Sequence, residues 1–301
     1  MKGLLTIQQL FLFPNTFNCY LQWQIVHMKN LFTLLSVLVS FISIGQTSIG
    51  VQLYSFRNEF KTDVPGTLEK ISKMGVTEVE GGGTYGMSFA DFKALLDKYH
   101  LKVTSVGADY KDLETNPQSA VDNAKQFGAK YVMCAWIPHN GDEFTVDDAN
   151  KAIEVFNKAG KVLKDNGITL CYHAHGYEFR PYNNETLFDY MAKKMDPRYA
   201  SFEMDVFWIK HPGQDPVALL KKYPGRFKMM HLKDRKTGTE GNQLGHADVE
   251  TNVVLGSGDV GIAAIMKIAK KQGVEKFYIE DESSRSMEQV PQSLAYLKGL
   301  K

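Results

Sequence analysis

From residue 49 onward the hydrophobic and polar positions repeat in a regular order. A short β-branched or aromatic run is followed by a stretch with helical spacing of apolar positions, then by Gly or Asn. The runs predict strands at residues 49–54, 78–80, 102–107, 131–135, 169–173, 200–205, 229–232 and 277–280. Between them the periodicity predicts helices, among them 64–74, 89–99, 150–165 and 262–271. Gly75, Gly128, Gly167 and Gly273 each close a periodic run just before a strand, as helix C-caps do. Strand–helix alternation implies a parallel sheet with right-handed crossovers. Eight such units in roughly 255 residues match the usual size of a (β/α)8 TIM barrel. A doubly wound sheet is the alternative. The barrel is favoured because polar residues gather at the C-terminal ends of the fifth to eighth strands, and only a barrel brings those ends to one mouth.

The chain before this pattern is different. Residues 28–46 have Lys29, an apolar run over 31–44 broken only by Thr and Ser, and small residues at Ser43 and Gly45. That order predicts a signal peptide cleaved beside Gln46, and an exported protein, periplasmic or secreted, free of the membrane after cleavage. Residues 1–27 lack periodicity and read as an upstream extension from a misassigned start, so the folded domain is expected over 47–301. Export makes a phosphorylated substrate less expected. It also permits disulfides, although Cys134 and Cys171 could pair only if their strands present them face to face.

Composition narrows the function classes. The 301 residues are 44% hydrophobic and 23% charged, the balance of a globular protein with a large core. A net charge of +1 argues against a nucleic-acid partner. No apolar stretch reaches the ~18 to 20 residues needed to span a bilayer. Small molecules remain the expected partners, with self-association left open.

One motif suggests a dinucleotide. Residues 256–261 read GSGDVG, follow an apolar run, precede a predicted helix, and have Glu280 about 20 residues on. Too little chain follows to complete a nucleotide-binding domain. The expectation is therefore a structural turn.

The chemistry concentrates in four strand ends: His173 and His175 on the fifth, Glu203 and Asp205 on the sixth, His231 and Lys233 on the seventh, Glu280 and Glu282 on the eighth. Each pair is two residues apart and so shares a strand face. Mixed imidazole and carboxylate ligands suit Mn, Co, Zn or Fe. Crowded carboxylates without a cation would force one to protonate. A dication at such a site acidifies a proton alpha to a bound carbonyl.

The segments GVQLYSFR, YHAHGYEF, FEMDVFWIKHPGQDP, HLKD and YIEDE together resemble the xylose isomerase-like TIM barrels. That superfamily includes sugar isomerases, epimerases, inosose dehydratases and endonuclease IV. The resemblance implies one divalent metal, manganese among the candidates, held by Asp205, His231 and Glu280 with a fourth ligand from strand 5. Many relatives have Glu there where this chain has His173, so His173 or Glu178 is the expected ligand. The catalytic groups implied are His175 or Glu178 as base, Glu280, and Lys233 beside a developing enolate. The expected activity is a sugar isomerase or epimerase that abstracts a proton alpha to a carbonyl on an unphosphorylated sugar or cyclitol. β-Elimination from a 3-keto-glycoside at the same site is the competing outcome. A non-catalytic sugar-binding barrel is the alternative of another class, and an NAD-linked dehydrogenase on the glycine motif is a third. Trp136, Trp208 and Tyr54 fall near strand ends, where they could stack on a sugar or simply pack.

Overall fold

The structure is a computed structural model that describes residues 48–300. The expected upstream extension at 1–27 and signal peptide at 28–46 lie outside the described residues.

The barrel strands are β1 Ile49–Gln52, β2 Glu78–Gly81, β3 Lys102–Gly107, β4 Tyr131–Cys134, β5 Thr169–His173, β6 Ala200–Asp205, β7 Phe227–Leu232 and β8 Lys276–Ile279. Each is parallel to its sequence neighbour, and β8 pairs with β1 to close the ring, Ile49 opposite Phe277. The architecture is a (β/α)8 barrel.

Local chemistry explains where the observed ends depart from the expected ones. β1 stops at Gln52 because that side chain accepts the Tyr54 N–H at 3.1 Å and opens a helical turn over Leu53–Phe56. β7 starts at Phe227, earlier than its apolar run suggests, because Lys228 projects to a salt bridge with Glu275 at 2.9 Å. The long helix Val146–Asp165 begins before residue 150 through a capping box of Thr145 and Asp148, which satisfies otherwise orphaned first-turn donors. Gly128 closes its helix at φ 71°, and Gly75, Gly167 and Gly273 are also left-handed.

The core has two compartments. Apolar strand residues such as Val51, Val79, Val132, Leu170 and Phe202 point outward into the layer beneath the helices. Inside the barrel, Tyr131, Met133, Cys171, Met229 and Tyr278 fill the lower levels. The Tyr278 hydroxyl pairs with that of Thr104 at 2.8 Å. Cys134 packs in the outer layer and Cys171 in the inner one, so the two thiols are free and lie on opposite sides of the wall. Above the inner layer, toward the C-terminal ends of the strands, the inward positions become ionisable.

Candidate active site at the barrel mouth

Asp205 ends β6 and caps the next helix, Val206–Lys210. Its Oδ1 accepts the N–H groups of Phe207 and Trp208 at 2.8 and 3.1 Å. This fixes the carboxylate and leaves Oδ2, buried without a partner, facing the barrel axis. His231 on β7 is oriented from the other side. Its Nε2 lies 2.6 Å from Glu80 Oε1, an oxygen that also accepts from Gln52 Nε2 at 2.7 Å. Nε2 donates to Glu80, and Nδ1 also has no hydrogen-bond partner. Burial opposes a charge on this imidazole, but the carboxylates of Glu203, Glu280 and Glu80 outweigh it and hold its pKa well above the ordinary value, so in the metal-free site Nδ1 carries a proton that a bound cation would replace. His173 on β5 meets Glu203 through Nδ1 at 3.2 Å, and its Nε2 is a third orphan.

These atoms converge. His173 Nε2 is 3.8 Å and His231 Nδ1 3.9 Å from Asp205 Oδ2, and His231 Nδ1 is 3.2 Å from Glu280 Oε2. Asp205, His231 and Glu280 form one group whose ligand atoms lie within 4.8 Å of one another. Bonds of about 2.1 Å at tetrahedral angles put ligand atoms about 3.4 Å apart, within the spread seen here. The donor set, the spacing and the three orphaned buried atoms fit a divalent cation of intermediate hardness.

The electrostatics point the same way. Glu80, Glu203, Asp205, Glu280 and Glu282 all reach His231 or Lys233. Burial, reinforced by the charge of Glu80, raises the Glu203 carboxyl well above its ordinary range. Burial also raises Asp205, to about 6, against the opposing pull of Lys233. Lys233 is buried too, which disfavours its charge. The carboxylates of Glu280, Glu282 and Asp205 outweigh that burial and keep its ammonium protonated. Its Nζ is 2.9 Å from Glu280 Oε2 and 3.5 Å from Asp205 Oδ2. The cluster therefore holds an excess of negative charge that further cations would relieve.

His175 stands on the cavity side. Its ring stacks on His173 with centroids 4.5 Å apart, and burial followed by the charge of Lys233 lowers its pKa to about 4. It is a neutral imidazole at physiological pH, and its Nδ1 has no partner.

Glu178 does not join the cluster, which corrects its expected placing as ligand or base. It accepts the His175 and Gly176 backbone N–H groups at 3.1 and 2.8 Å and the Tyr172 hydroxyl. Its lone pairs are taken up by the β5 loop, and it is fully buried. His173 occupies the strand-5 position instead. Glu80 and Gln52, which orient His231, carried little signal: in EVEG the alternation of Glu78 and Glu80 about Val79 looks like a strand with one solvated face.

The GSGDVG segment closes on the chain's own carboxylate. Gly256 and Gly258 donate to Asp234 Oδ2 at 2.8 and 3.1 Å, and Val260 donates to Oδ1 at 3.1 Å. A Cβ at Gly258 would lie 2.3 Å from the Arg235 carbonyl oxygen. The backbone donors that would cradle a pyrophosphate are already committed to Asp234, the last residue of HLKD.

A family model described as xylose isomerase-like TIM barrel matches residues 68–300. The chain belongs to that family. Among relatives, it is 24% identical over 216 residues to an inosose dehydratase of Geobacillus kaustophilus, covering 62% of this chain and 68% of that protein. Across similar proteins of the same name, the match spans from 30% to 69% of the relative's length. A crystal structure described as a sugar phosphate isomerase/epimerase from Parabacteroides distasonis superposes with a TM-score of 0.70 at 28% identity, covering 86% of this chain and 97% of that one. A protein called IolI, solved with a bound zinc atom, shares the fold at TM-score 0.65 and 13% identity over 83% of this chain and 96% of its own.

Proposed function

We propose that this family member is a divalent-metal-dependent enzyme that removes a proton alpha to the carbonyl of an unphosphorylated keto-sugar or keto-cyclitol. The grouping of Asp205, His231 and Glu280 at ligand spacing, with His173 Nε2 3.8 Å from Asp205 Oδ2, carries this reading. These four residues would hold the metal, whose bound form would polarise the substrate carbonyl and stabilise the enolate. His175, neutral and facing the cavity, is placed to take the proton. Lys233, held as an ammonium by Glu280, Glu282 and Asp205, supplies positive charge beside the ligand carboxylates, and the proton His175 takes is the one a departing hydroxyl needs.

The fate of the enolate is the finer question. Isomerases and epimerases of the expected type use two carboxylates as acid and base, but here strand 5 supplies His173 and Glu178 is turned into its loop. With no second carboxylate to return the proton from the opposite face, a single histidine that takes the alpha proton and gives it to a departing hydroxyl makes loss of a β-hydroxyl the better supported outcome, and the inosose dehydratase relatives agree in kind. Reprotonation, giving isomerisation or epimerisation, is the second outcome.

An unphosphorylated substrate is supported by the lining of the mouth. Asp109, Asp112, Glu280 and Glu282 face the cavity, and Arg57 is the one lysine or arginine among its lining residues. Arg57 is itself tied to the Tyr54 and Glu282 carbonyls at 3.2 and 2.8 Å. A phosphate dianion would meet repulsion there. The exported location expected from residues 28–46 accords with this.

The test is incubation with unphosphorylated keto-sugars and inososes in D2O, followed by NMR. Loss of water with deuterium at the former β carbon, taken up as the enol product ketonises, supports the reading; deuterium at the alpha carbon with an epimer supports the second outcome. His175→Ala should lower either rate by at least ~100-fold. No exchange with any such ketone, alongside turnover of a sugar phosphate, would overturn it.

A further inference from the structure

The cavity above the cluster has a volume of about 870 Å³, near the upper end of the ~300–1,000 Å³ usual for ligand pockets. It extends from His173, His231, Glu280 and Glu282 across the ends of β2, β3 and β4. Glycines 81–83 and Gly107 line that side beside Tyr85, Tyr110 and Met133. An added Cβ at Gly83 or Gly107 would meet no heavy atom within 4 Å, so the trough is open over these two positions. Asp109 and Asp112 line it and offer acceptors for hydroxyls.

Two aromatic faces flank this trough. Tyr54 is 53% and Trp136 39% exposed, and they are the large hydrophobic side chains left exposed among the described residues. Both line this cavity. Neither is loose. Trp136 stacks on His139 with centroids 5.0 Å apart and sits edge-on to Tyr177 at 5.0 Å. The Tyr177 hydroxyl accepts the Ile137 N–H at 3.0 Å, which anchors the backbone next to the indole. Gly245 completes the support, because a Cβ there would press on both Trp136 and Tyr177. Tyr54 carries the Arg57 guanidinium 4.6 Å from its ring centre. Exposed aromatic surface held rigid beside hydrogen-bond acceptors is the recognition chemistry of a ring with an apolar face and hydroxylated edges.

We infer that the trough is a subsite for a second ring. The substrate is therefore a two-ring compound, a keto-sugar or keto-cyclitol bearing a glycosidically linked sugar or aryl group. This rests on the proposed chemistry for its first ring. The subsite itself stands on the rim aromatics and the open trough.

The experiment compares kcat/KM for deuterium incorporation across a keto-hexose, its methyl glycoside, its phenyl glycoside and a keto-disaccharide of the same sugar. Either two-ring substrate should exceed the methyl glycoside by about tenfold, equivalent to ~1.4 kcal/mol. The better of the two tells a sugar from an aryl occupant. Trp136→Ala should lower the two-ring values by about tenfold more than the others. Gly83→Leu, which keeps the Trp136 packing and projects into open space, should do the same. Equal kcat/KM across the series, or equal losses in both variants, overturns the subsite. If no substrate exchanges deuterium, the proposed chemistry fails separately. Tryptophan-fluorescence titration with the corresponding unoxidised mono- and disaccharides then decides the subsite: about tenfold tighter disaccharide binding supports it, and equal binding refutes it.

Discussion

Glu178→Gln separates a loop-fastening carboxylate from a ligand or base, and its magnitude follows from the structure. Two backbone N–H groups and one hydroxyl converge on the carboxylate. Glutamine keeps one acceptor oxygen and replaces the other with an amide NH2. If the oxygen stays on the His175 and Tyr172 side, the NH2 faces the Gly176 N–H, donor against donor. Leaving that buried donor unmet costs about 2 kcal/mol.

Ionisation then adds a pH dependence. Burial is the leading cause that raises the Glu178 pKa from 4.5 to about 7. The folded state therefore holds this proton more tightly than the unfolded chain does. The associated stability is fully present below pH 4.5 and is lost as pH rises through about 7. At ~1.36 kcal/mol per unit, the loss approaches ~3 kcal/mol. Glutamine does not titrate. Urea denaturation at pH 5 should show the variant less stable by about 2 kcal/mol, and by pH 8 the difference should vanish or reverse. Metal content, read by elemental analysis, should be unchanged. A stability difference independent of pH, or loss of metal in the variant, would refute the reasoning and return Glu178 to the ligand set.

Further outcomes follow from the same geometry. Asp205→Ala and His231→Ala should abolish stoichiometric divalent metal binding, and chelation should lower the melting temperature of the wild type, because the buried carboxylates lose their counter-charge; both are read by elemental analysis and calorimetry. Glu80→Gln should weaken metal affinity about 10–100-fold without removing a ligand, since Glu80 orients the His231 ring; a competition titration with a chromogenic chelator measures it. Asp234→Ala removes the acceptor of three backbone donors, of which the Val260 N–H is buried, and should destabilise by about 1–3 kcal/mol in urea denaturation. The milder Asp234→Asn should gain no affinity for NAD in a fluorescence titration.

The fold was legible because its outer core obeys simple periodicity. Strand residues such as Val79 and Leu170 face the helices, and the amphipathic helices between them end in glycine, so each β–α unit announces itself. Boundaries were less legible where a side chain overrides hydropathy: Gln52 turns β1 early, and Thr145 with Asp148 starts a helix before its apolar stripe begins. In the site, pairs two residues apart on the last four strands could be read directly, since alternation sends both to one face. Glu178 misled because it lies in a loop, where periodicity says nothing of direction. Glu80 escaped notice for a different reason. On a β2 of four residues, a buried inward carboxylate has the same local pattern as a solvated one, and only its distance to His231, 151 positions away, tells them apart.

That inversion of the usual pattern bears on function. Around the barrel the apolar strand face points outward, so the fold is held by the layer between strands and helices and does not need an apolar upper interior. The mouth can therefore carry ionisable groups whose burial opposes stability. Single burials of this kind are ordinarily compensated by complete hydrogen bonding. Here compensation is selective. Asp205 Oδ1, His231 Nε2 and His173 Nδ1 are all hydrogen-bonded, while Oδ2, Nδ1 and Nε2 of the same residues have no hydrogen bond and meet one another and charged neighbours only at 3.2–3.9 Å. A merely structural network would satisfy its buried polar atoms, whereas here these three atoms, with Glu80 Oε2 and Glu203 Oε1, lack hydrogen bonds within one cluster. Fixing one atom of a residue orients the other, which is what a preorganised ligand set requires. The argument has a definite consequence: replacing His173, Asp205 and His231 together by apolar residues of similar volume should raise stability in the metal-free protein while abolishing metal binding. If such a triple variant proved less stable than the metal-free wild type, the open atoms would belong to a structural network and not to a site.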